Sequence, residues 1–259
     1  MRLIVDEEKI RNVFDKMKDE AGFEELQALG LKLVPIVARG KNWANGAVFR
    51  DVAKVAGFKY DGHKMLPPEK IKDKVILILQ AALRYLNQIP EDKLDEILPG
   101  RPRSYRQLVY HVLSIPNVFL DRVEHNAPYT YDALKSILPS QLKNKTDLVA
   151  FGNQVIDRFD AWWNGPGNTT NFSQPGNVYY GEVILHEVLE RTAWHSGQHV
   201  RQVALMLKEK LNIEPEPPLD DTIFHGLPMP KNIWDNERSF SEKSYSGQAL
   251  SSVEDFKNL

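Results

Sequence analysis

The stretch from Tyr180 to Leu211 reads YGEVILHEVLERTAWHSGQHVRQVALMLKEKL, and it decides how the second half of the chain is organised. Its apolar residues recur every three or four positions without an internal proline, which predicts one long helix with a buried face. On such a helix His195 and His199 lie one turn apart, with Arg191 a turn before them and Gln202 a turn after. Two imidazoles at i and i+4 are spaced to share a metal ion, so this stripe predicts a metal site.

The alternative is that the histidine pair is solvated, because His-x-x-x-His also occurs by chance on exposed helices. Trp194 and Val200 flank the pair with apolar bulk, which favours a partly buried stripe. Polar groups that face a core need a partner, and a metal ion is one. A third ligand has to come from another element, since His186 falls on the opposite side of the helix and is predicted to be a surface or packing residue.

Composition excludes several classes of function. The 259 residues carry a net charge of -2, with a sequence pI near 6.4, so the basic field of a nucleic-acid or anionic-membrane binder is absent. The sequence has no apolar run long enough to cross a membrane, and its amino terminus does not resemble a signal peptide. These features predict a cytoplasmic protein. With 0 cysteines, disulfides, thiolate ligands and a cysteine nucleophile are excluded, so any thiol chemistry needs a thiol from the substrate.

The sequence pattern of residues 1–62 is typical of a small α/β lobe. The pattern predicts a strand at 2–5, a helix within 6–29 broken near Ala21-Gly22, a hairpin formed by 31–38 and 43–45, and a helix at 49–56 ended by Gly57. This order resembles the carboxyl-terminal two-thirds of a glutaredoxin or thioredoxin fold. Val34-Pro35 stands where that family has its cis-proline, and Gly46 stands where it has a glycine after the last strand.

The resemblance to glutaredoxins implies a glutathione-binding role for Val34, Pro35 and Trp43, because the backbone beside the cis-proline pairs with bound glutathione in that family. The family's first strand and its cysteine-bearing helix start are missing here, so redox activity of this lobe is excluded. A vestigial lobe that only packs on its neighbour remains the alternative. The edge left without the first strand is either filled by residues 2–5 or open to a partner chain, so a homodimer stays an alternative.

The helical patterns within residues 63–211 predict an up-and-down four-helix bundle, so the protein is expected to be mainly α. The predicted helices span 69–88, 105–124 and 146–163, and the fourth is the histidine helix. Ser104 and Gln107 form a capping box at the start of the second helix, which points His111 toward the bundle interior. Pro116 should kink that helix and leave a carbonyl near Val112 without its helical donor. Residues 212–259 predict a proline-rich strap, which includes Trp234, and a tail.

His111, together with the Trp-His195-Ser-Gly-Gln-His199 motif, resembles the metal signature of the DinB-like (YfiT-like) superfamily. The resemblance covers about 67–211. It implies a four-helix bundle holding a divalent metal on His111, His195 and His199, with zinc preferred and nickel or iron as alternatives. Characterised branches of that superfamily are thiol S-transferases and isomerases. The resemblance also makes Arg191 and Gln202 candidates for orienting the substrate or the ligands, with an ordinary salt bridge and a packed amide as the alternatives.

Two classes of function follow. The first is a metal-dependent glutathione S-transferase, in which the co-substrate glutathione is activated on the metal as a thiolate. The second is a non-catalytic metal- or thiol-binding protein. A hydrolase that uses metal-bound water is a third alternative, and it differs only in what occupies the open coordination position. The expected partners are a small thiol and an electrophile.

Overall fold

The computed structural model describes residues 11–12, 20–31, 36–46, 48–98, 103–135, 137–230 and 233. These residues fall into two compact units. The first contains the described residues up to His63 together with Tyr180–Glu182, and the second contains Lys64–Tyr179 and the described residues from Val183 onward.

The first unit is a small antiparallel sheet with two helices. Its elements in chain order are β1 (Arg11–Asn12), α1 (Glu20–Ala28), β2 (Ile36–Arg39), β3 (Asn42–Asn45) and α2 (Phe49–Ala56). The strand order is β1-β2-β3, with β2 and β3 joined as a hairpin in which Ile36 pairs with Asn45. Val37 and its cross-strand partner Ala44 are buried on one face of the hairpin, and Ile36 is buried on the other face.

The hairpin and α2 confirm the sequence-based expectation, including Gly57, whose φ of 79° ends α2 in the left-handed conformation that glycine adopts most readily. The predicted helix within 6–29 is wrong in two places. Arg11–Asn12 pairs with β2 as a strand, because sheet pairing overrides a short helical pattern. Ala21-Gly22 lies in the first turn of α1 and does not break it. The strand predicted at 2–5 and the Val34-Pro35 bond lie outside the described residues.

The second unit is a helical bundle, as the sequence predicted. Its long helices are α3 (Pro68–Gln88), α4 (Tyr105–His125), α6 (Lys145–Asn164) and α7 (Leu185–Leu211), and a short α5 (Tyr131–Leu134) follows α4. Both α6 and α7 pack against α3 and α4. The core between them is apolar and includes fully buried aromatic and aliphatic side chains: Ile71, Ile78, Tyr85, Val112, Phe119, Phe159 and Val200.

The ends of the long helices follow local chemistry. Pro68 occupies the first turn of α3. Ser104 accepts a hydrogen bond from the Gln107 backbone N–H, and its own N–H donates to the Gln107 side chain, so the predicted capping box is present. The fourth helix begins later than predicted, at Leu185 and not at Tyr180, because Ile184 is extended and its N–H donates to Glu187 Oε2 at 2.8 Å.

Residues after α7 contain no long helix in the described part of the chain, as the prolines predicted, and the one regular element there is a 3-10 turn at Asp221–Phe224. We call residues 212–230 together with Ile233 the C-terminal strap. Phe224 and Leu227 of the strap are buried. Trp234 and the predicted tail at 239–259 lie outside the described residues. No helix in the described part of the chain is long and apolar enough to cross a membrane.

Pro116 lies inside α4 and ties this helix to α7. Proline has no N–H, so the Val112 carbonyl four residues earlier lacks its helical donor. Ser196, fully buried on α7, donates its hydroxyl to that carbonyl at 3.1 Å. The bond joins the residue after His111 to the residue after His195, so it fixes the register of the two helices at the histidines.

Replacing Ser196 by alanine should lower the free energy of unfolding by about 1–3 kcal/mol, because a buried carbonyl is left without a donor. Ser114→Ala is the matched control, since the Ser114 hydroxyl donates within its own helix, to the His111 carbonyl. When it is combined with Ser196→Ala, the Pro116→Ala substitution restores an N–H to α4 and should recover part of the lost free energy of unfolding. Urea unfolding of the three variants measures this. Equal losses in Ser196→Ala and Ser114→Ala would contradict the role given to Pro116.

Candidate metal centre

Three histidines from two helices meet inside the bundle. His111 projects from α4, and His195 and His199 project from α7. One ring nitrogen of each histidine can be chosen so that all three lie within 4.8 Å of one another. All three residues are partly buried. Among the described residues this group could hold a divalent metal ion.

The rings approach one another at different angles. The centroid of His111 lies 5.4 Å from that of His195 and 4.6 Å from that of His199, with interplanar angles of 80° and 68°. His195 and His199 are 5.0 Å apart at 45°. No two rings are stacked face to face, so the edges that carry the nitrogens can point at a shared centre.

Gln202 fixes which nitrogen of His199 can coordinate. The His199 Nδ1 lies 2.7 Å from Gln202 Oε1, while Gln202 Nε2 donates to the Ile233 carbonyl at 3.0 Å. A carbonyl oxygen accepts and cannot donate, so Nδ1 of His199 carries the proton. The lone pair of this imidazole is therefore on Nε2, which is the tautomer that a metal ligand needs.

His195 carries the strongest local indication of a missing partner. Its Nδ1 is buried and has no hydrogen-bond partner in the part of the chain that the structure describes. A buried polar atom without a partner costs about 1–3 kcal/mol. A metal ion bound at this nitrogen would supply the partner, so the donor set fits a metal.

Burial also keeps two of the imidazoles neutral. The pKa of His195 lies well below 6.5, chiefly because burial disfavours the charged ring, and further because His199 and Arg191 are close. Burial, followed by His199, likewise lowers the pKa of His111 well below 6.5. Neutral imidazole is the form that binds metal, so protons compete poorly at these two positions near pH 7.

Arg191 lies beside the histidines, one turn before His195 on α7. Its guanidinium carbon is 5.5 Å from the centre of the Trp194 ring, a distance at which a cation is attracted to an indole face. Its charge contributes to the lowered pKa of both His111 and His195. Arg191 therefore places a positive charge beside the histidines, which favours an anionic group there.

The other candidate residues are not part of the histidine group. His186 bonds the Leu66 carbonyl through Nε2 at 2.8 Å and packs near Phe172, so it is a packing residue as predicted. Trp43 is 45% exposed and lines a cavity of about 670 Å³ in the first unit, together with Arg39, Lys41 and Lys54. Val34 and Pro35 lie outside the described residues.

Three contributors to the site were not predicted. Arg103, just before the Ser104 cap, acts on the pKa of His111 and His195, and no sequence pattern pointed to it. Ser196 could have been anticipated, because Pro116 predicted a carbonyl in need of a donor. The Ile233 carbonyl could not, because a backbone atom leaves no trace in the sequence.

Comparison with known proteins gives one match. A protein-family model described as the DinB superfamily matches residues 78–203. This range runs from α3 to α7 and includes all three histidines. No curated protein and no solved structure matches the chain.

Proposed function

We propose that this chain is a metal-dependent thiol S-transferase, since residues 78–203 of its helical bundle match the DinB superfamily. The observation that carries the proposal is the convergence of His111, His195 and His199 in the bundle, beside a cationic side chain. The chain has 0 cysteines, so the nucleophilic sulfur comes from a small thiol. The bundle supplies the place where that thiol is activated.

The three histidines would hold the metal, and zinc is the ion we favour because neutral imidazoles suit it. When bound on three imidazoles, such an ion offers an open position at which a thiol loses its proton near neutral pH. The protein's part is to keep the imidazoles neutral and oriented. Burial keeps His111 and His195 neutral, and Gln202 orients the ring of His199.

Arg191 would hold an anionic group of the thiol or of the electrophile. A guanidinium can form two parallel hydrogen bonds with a carboxylate, which fixes position as well as providing affinity. Trp194 limits where the guanidinium can point, because the cation lies over the indole ring. The thiol would thus be oriented by a residue that is not itself a metal ligand.

Glutathione is the thiol we favour. It is an anionic peptide with two carboxylates, and the cavity around Trp43 presents the cations Arg39, Lys41 and Lys54. Lys54 has an ion pair with Asp51 at 3.2 Å, on a solvent-exposed face where such pairs are weak. These cations support recognition of an anionic peptide by the first unit. The resemblance of this unit to glutaredoxins points to the same thiol.

The test is thiol binding with and without metal. Elemental analysis of the purified protein gives the identity and amount of metal, and calorimetry compares glutathione binding by the loaded and the chelator-treated protein. We expect glutathione to bind the loaded protein at least about tenfold more tightly, since a coordinate bond is added. Metal binding without any effect on thiol affinity would contradict the transferase and favour a non-catalytic metal protein or a hydrolase.

Replacing Arg191 by methionine should weaken glutathione binding and leave the metal in place. The loss of a charge-assisted hydrogen bond corresponds to about 1.5–3 kcal/mol, or roughly 10–150-fold in affinity. Lys208→Met is the control, because Lys208 is a cation on the same helix that pairs with Glu214 at 3.1 Å. Calorimetry with glutathione and elemental analysis give both quantities. Unchanged thiol affinity in Arg191→Met would contradict the role of this residue.

A further inference from the structure

The C-terminal strap is hydrogen-bonded to two helices of the bundle, α3 and α7. Tyr85 of α3 donates its hydroxyl to the Pro217 carbonyl at 3.1 Å, and Arg201 of α7 donates to the Pro230 carbonyl at 2.8 Å. Phe224 packs against α7 so closely that a Cβ on Gly197 would lie 2.9 Å from its ring. Gly197 lies between His195 and His199 in sequence, so the strap packs on the same turn of α7, on the face turned away from the two imidazoles.

The Ile233 carbonyl of the strap is hydrogen-bonded to α7 close to His199. It accepts one hydrogen bond from Gln198 Nε2 at 2.5 Å and another from Gln202 Nε2 at 3.0 Å. Arg201 in turn donates to Gln198 Oε1 at 2.9 Å. Two amides and one guanidinium of α7 therefore hold a single strap carbonyl in place.

This carbonyl determines which way the Gln202 amide faces. With Nε2 engaged by Ile233, Oε1 must face His199, and it does so at 2.7 Å. Without that acceptor the amide could turn over and present Nε2 to the ring. His199 would then have to accept at Nδ1 and carry its proton on Nε2, the tautomer that cannot coordinate through Nε2.

We propose that the C-terminal strap is a positioning element of the metal site, in which the Ile233 carbonyl sets the tautomer of His199 through Gln202. Gln198 and Arg201 are positioning residues that hold Ile233, although neither is one of the three histidines. The inference rests on the metal-binding part of the proposed function. It adds that the affinity for metal depends on a segment that follows the bundle helices in the chain.

The test is a double-mutant cycle in the full chain, with zinc as the probe. Gln202→Leu should lower zinc affinity about 10–100-fold, as loss of a hydrogen bond to a liganding histidine does. Gln198→Leu should lower it as well, by a smaller factor. If Gln198 acts through Ile233 and Gln202, the double variant should bind zinc no more weakly than Gln202→Leu alone. Competition with a chromophoric chelator measures all four proteins.

A second readout separates positioning from general destabilisation. Nitrogen-15 spectra of the metal-free protein report which ring nitrogen of His199 carries the proton, and we expect Nδ1–H in the unsubstituted protein and more Nε2–H in Gln198→Leu. If Gln198→Leu fails to fold, Gln198→Glu keeps the size and removes the donor. Lys208→Met is the control, because Lys208 joins α7 to the strap through the Glu214 carboxylate at 3.1 Å instead of through the Ile233 carbonyl, and it should leave zinc affinity unchanged.

The outcomes distinguish failure of the proposed function from failure of the positioning role of the strap. Absence of zinc binding in the unsubstituted protein would overturn the proposed function and this inference with it. Unchanged zinc affinity in folded Gln198→Leu or Gln198→Glu, or strictly additive effects in the cycle, would overturn the positioning role alone. A coupled loss of affinity together with the tautomer shift would support it.

Discussion

Replacing His195 by alanine should abolish metal retention and any thiol-transfer activity while the bundle stays folded. Two imidazoles instead of three leave an incomplete chelate, and we expect the affinity for zinc to fall by more than about 100-fold. The fold should survive because α3, α4, α6 and α7 bury their own apolar faces, unlike a zinc finger. Elemental analysis, thermal melting and a glutathione-conjugation assay measure the three properties.

His186→Ala is the matched control for this experiment. His186 is on the same helix, but its ring bonds the Leu66 carbonyl and is not part of the histidine group. The control should keep both metal and activity and lose some stability. Full activity in metal-free His195→Ala protein would end the metal hypothesis, and complete unfolding would show that the ion is structural.

Acidification should destabilise the metal-free protein steeply below about pH 6.5. Burial and neighbouring cationic or ring groups hold the pKa of His111 and His195 well below 6.5 in the folded state, whereas the unfolded chain takes up protons near 6.5. The unfolded state then binds more protons, so the free energy of unfolding falls as the pH falls. The slope reaches about 1.4 kcal/mol per pH unit for each histidine, or roughly 3 for both.

Urea unfolding of chelator-treated protein between pH 7.5 and 5.5 measures this slope. Below that window carboxylates begin to titrate and add their own contribution. Removing one of the two rings in His195→Ala should reduce the slope by about half. A stability that does not change over this range would mean that both imidazoles take up protons without loss of the fold, against the burial of the site.

The bundle and the histidine group were predictable because both depend on spacing. Apolar residues every three or four positions predicted the long helices, and the Pro68 and Ser104 signals placed two of their starts correctly. The interval between His195 and His199 predicted a shared face on α7. His111 was predicted to face inward from the stripe beside it, and α4 does place it against the other two rings.

What the sequence could not predict depends on contacts between distant segments. The β1 strand at Arg11–Asn12 exists through pairing with β2, and no local pattern at those positions favours a strand. The start of α7 shifted because Ile184 is held extended in a loop. The link from Gln202 to Ile233 joins a side chain to a backbone atom, which any residue type could supply.

The division of the ligands between α4 and α7 has a consequence for how much of this protein a cell contains. An unfolded chain offers only the local pair His195 and His199, because His111 joins them when α4 and α7 are packed together. A metal ion held by all three histidines would therefore bind the folded state far more tightly and protect it by mass action. Proteases act on the unfolded fraction, so the lifetime of the protein should lengthen with metal supply and shorten under metal starvation. Its abundance as well as its activity would then follow the metal supply.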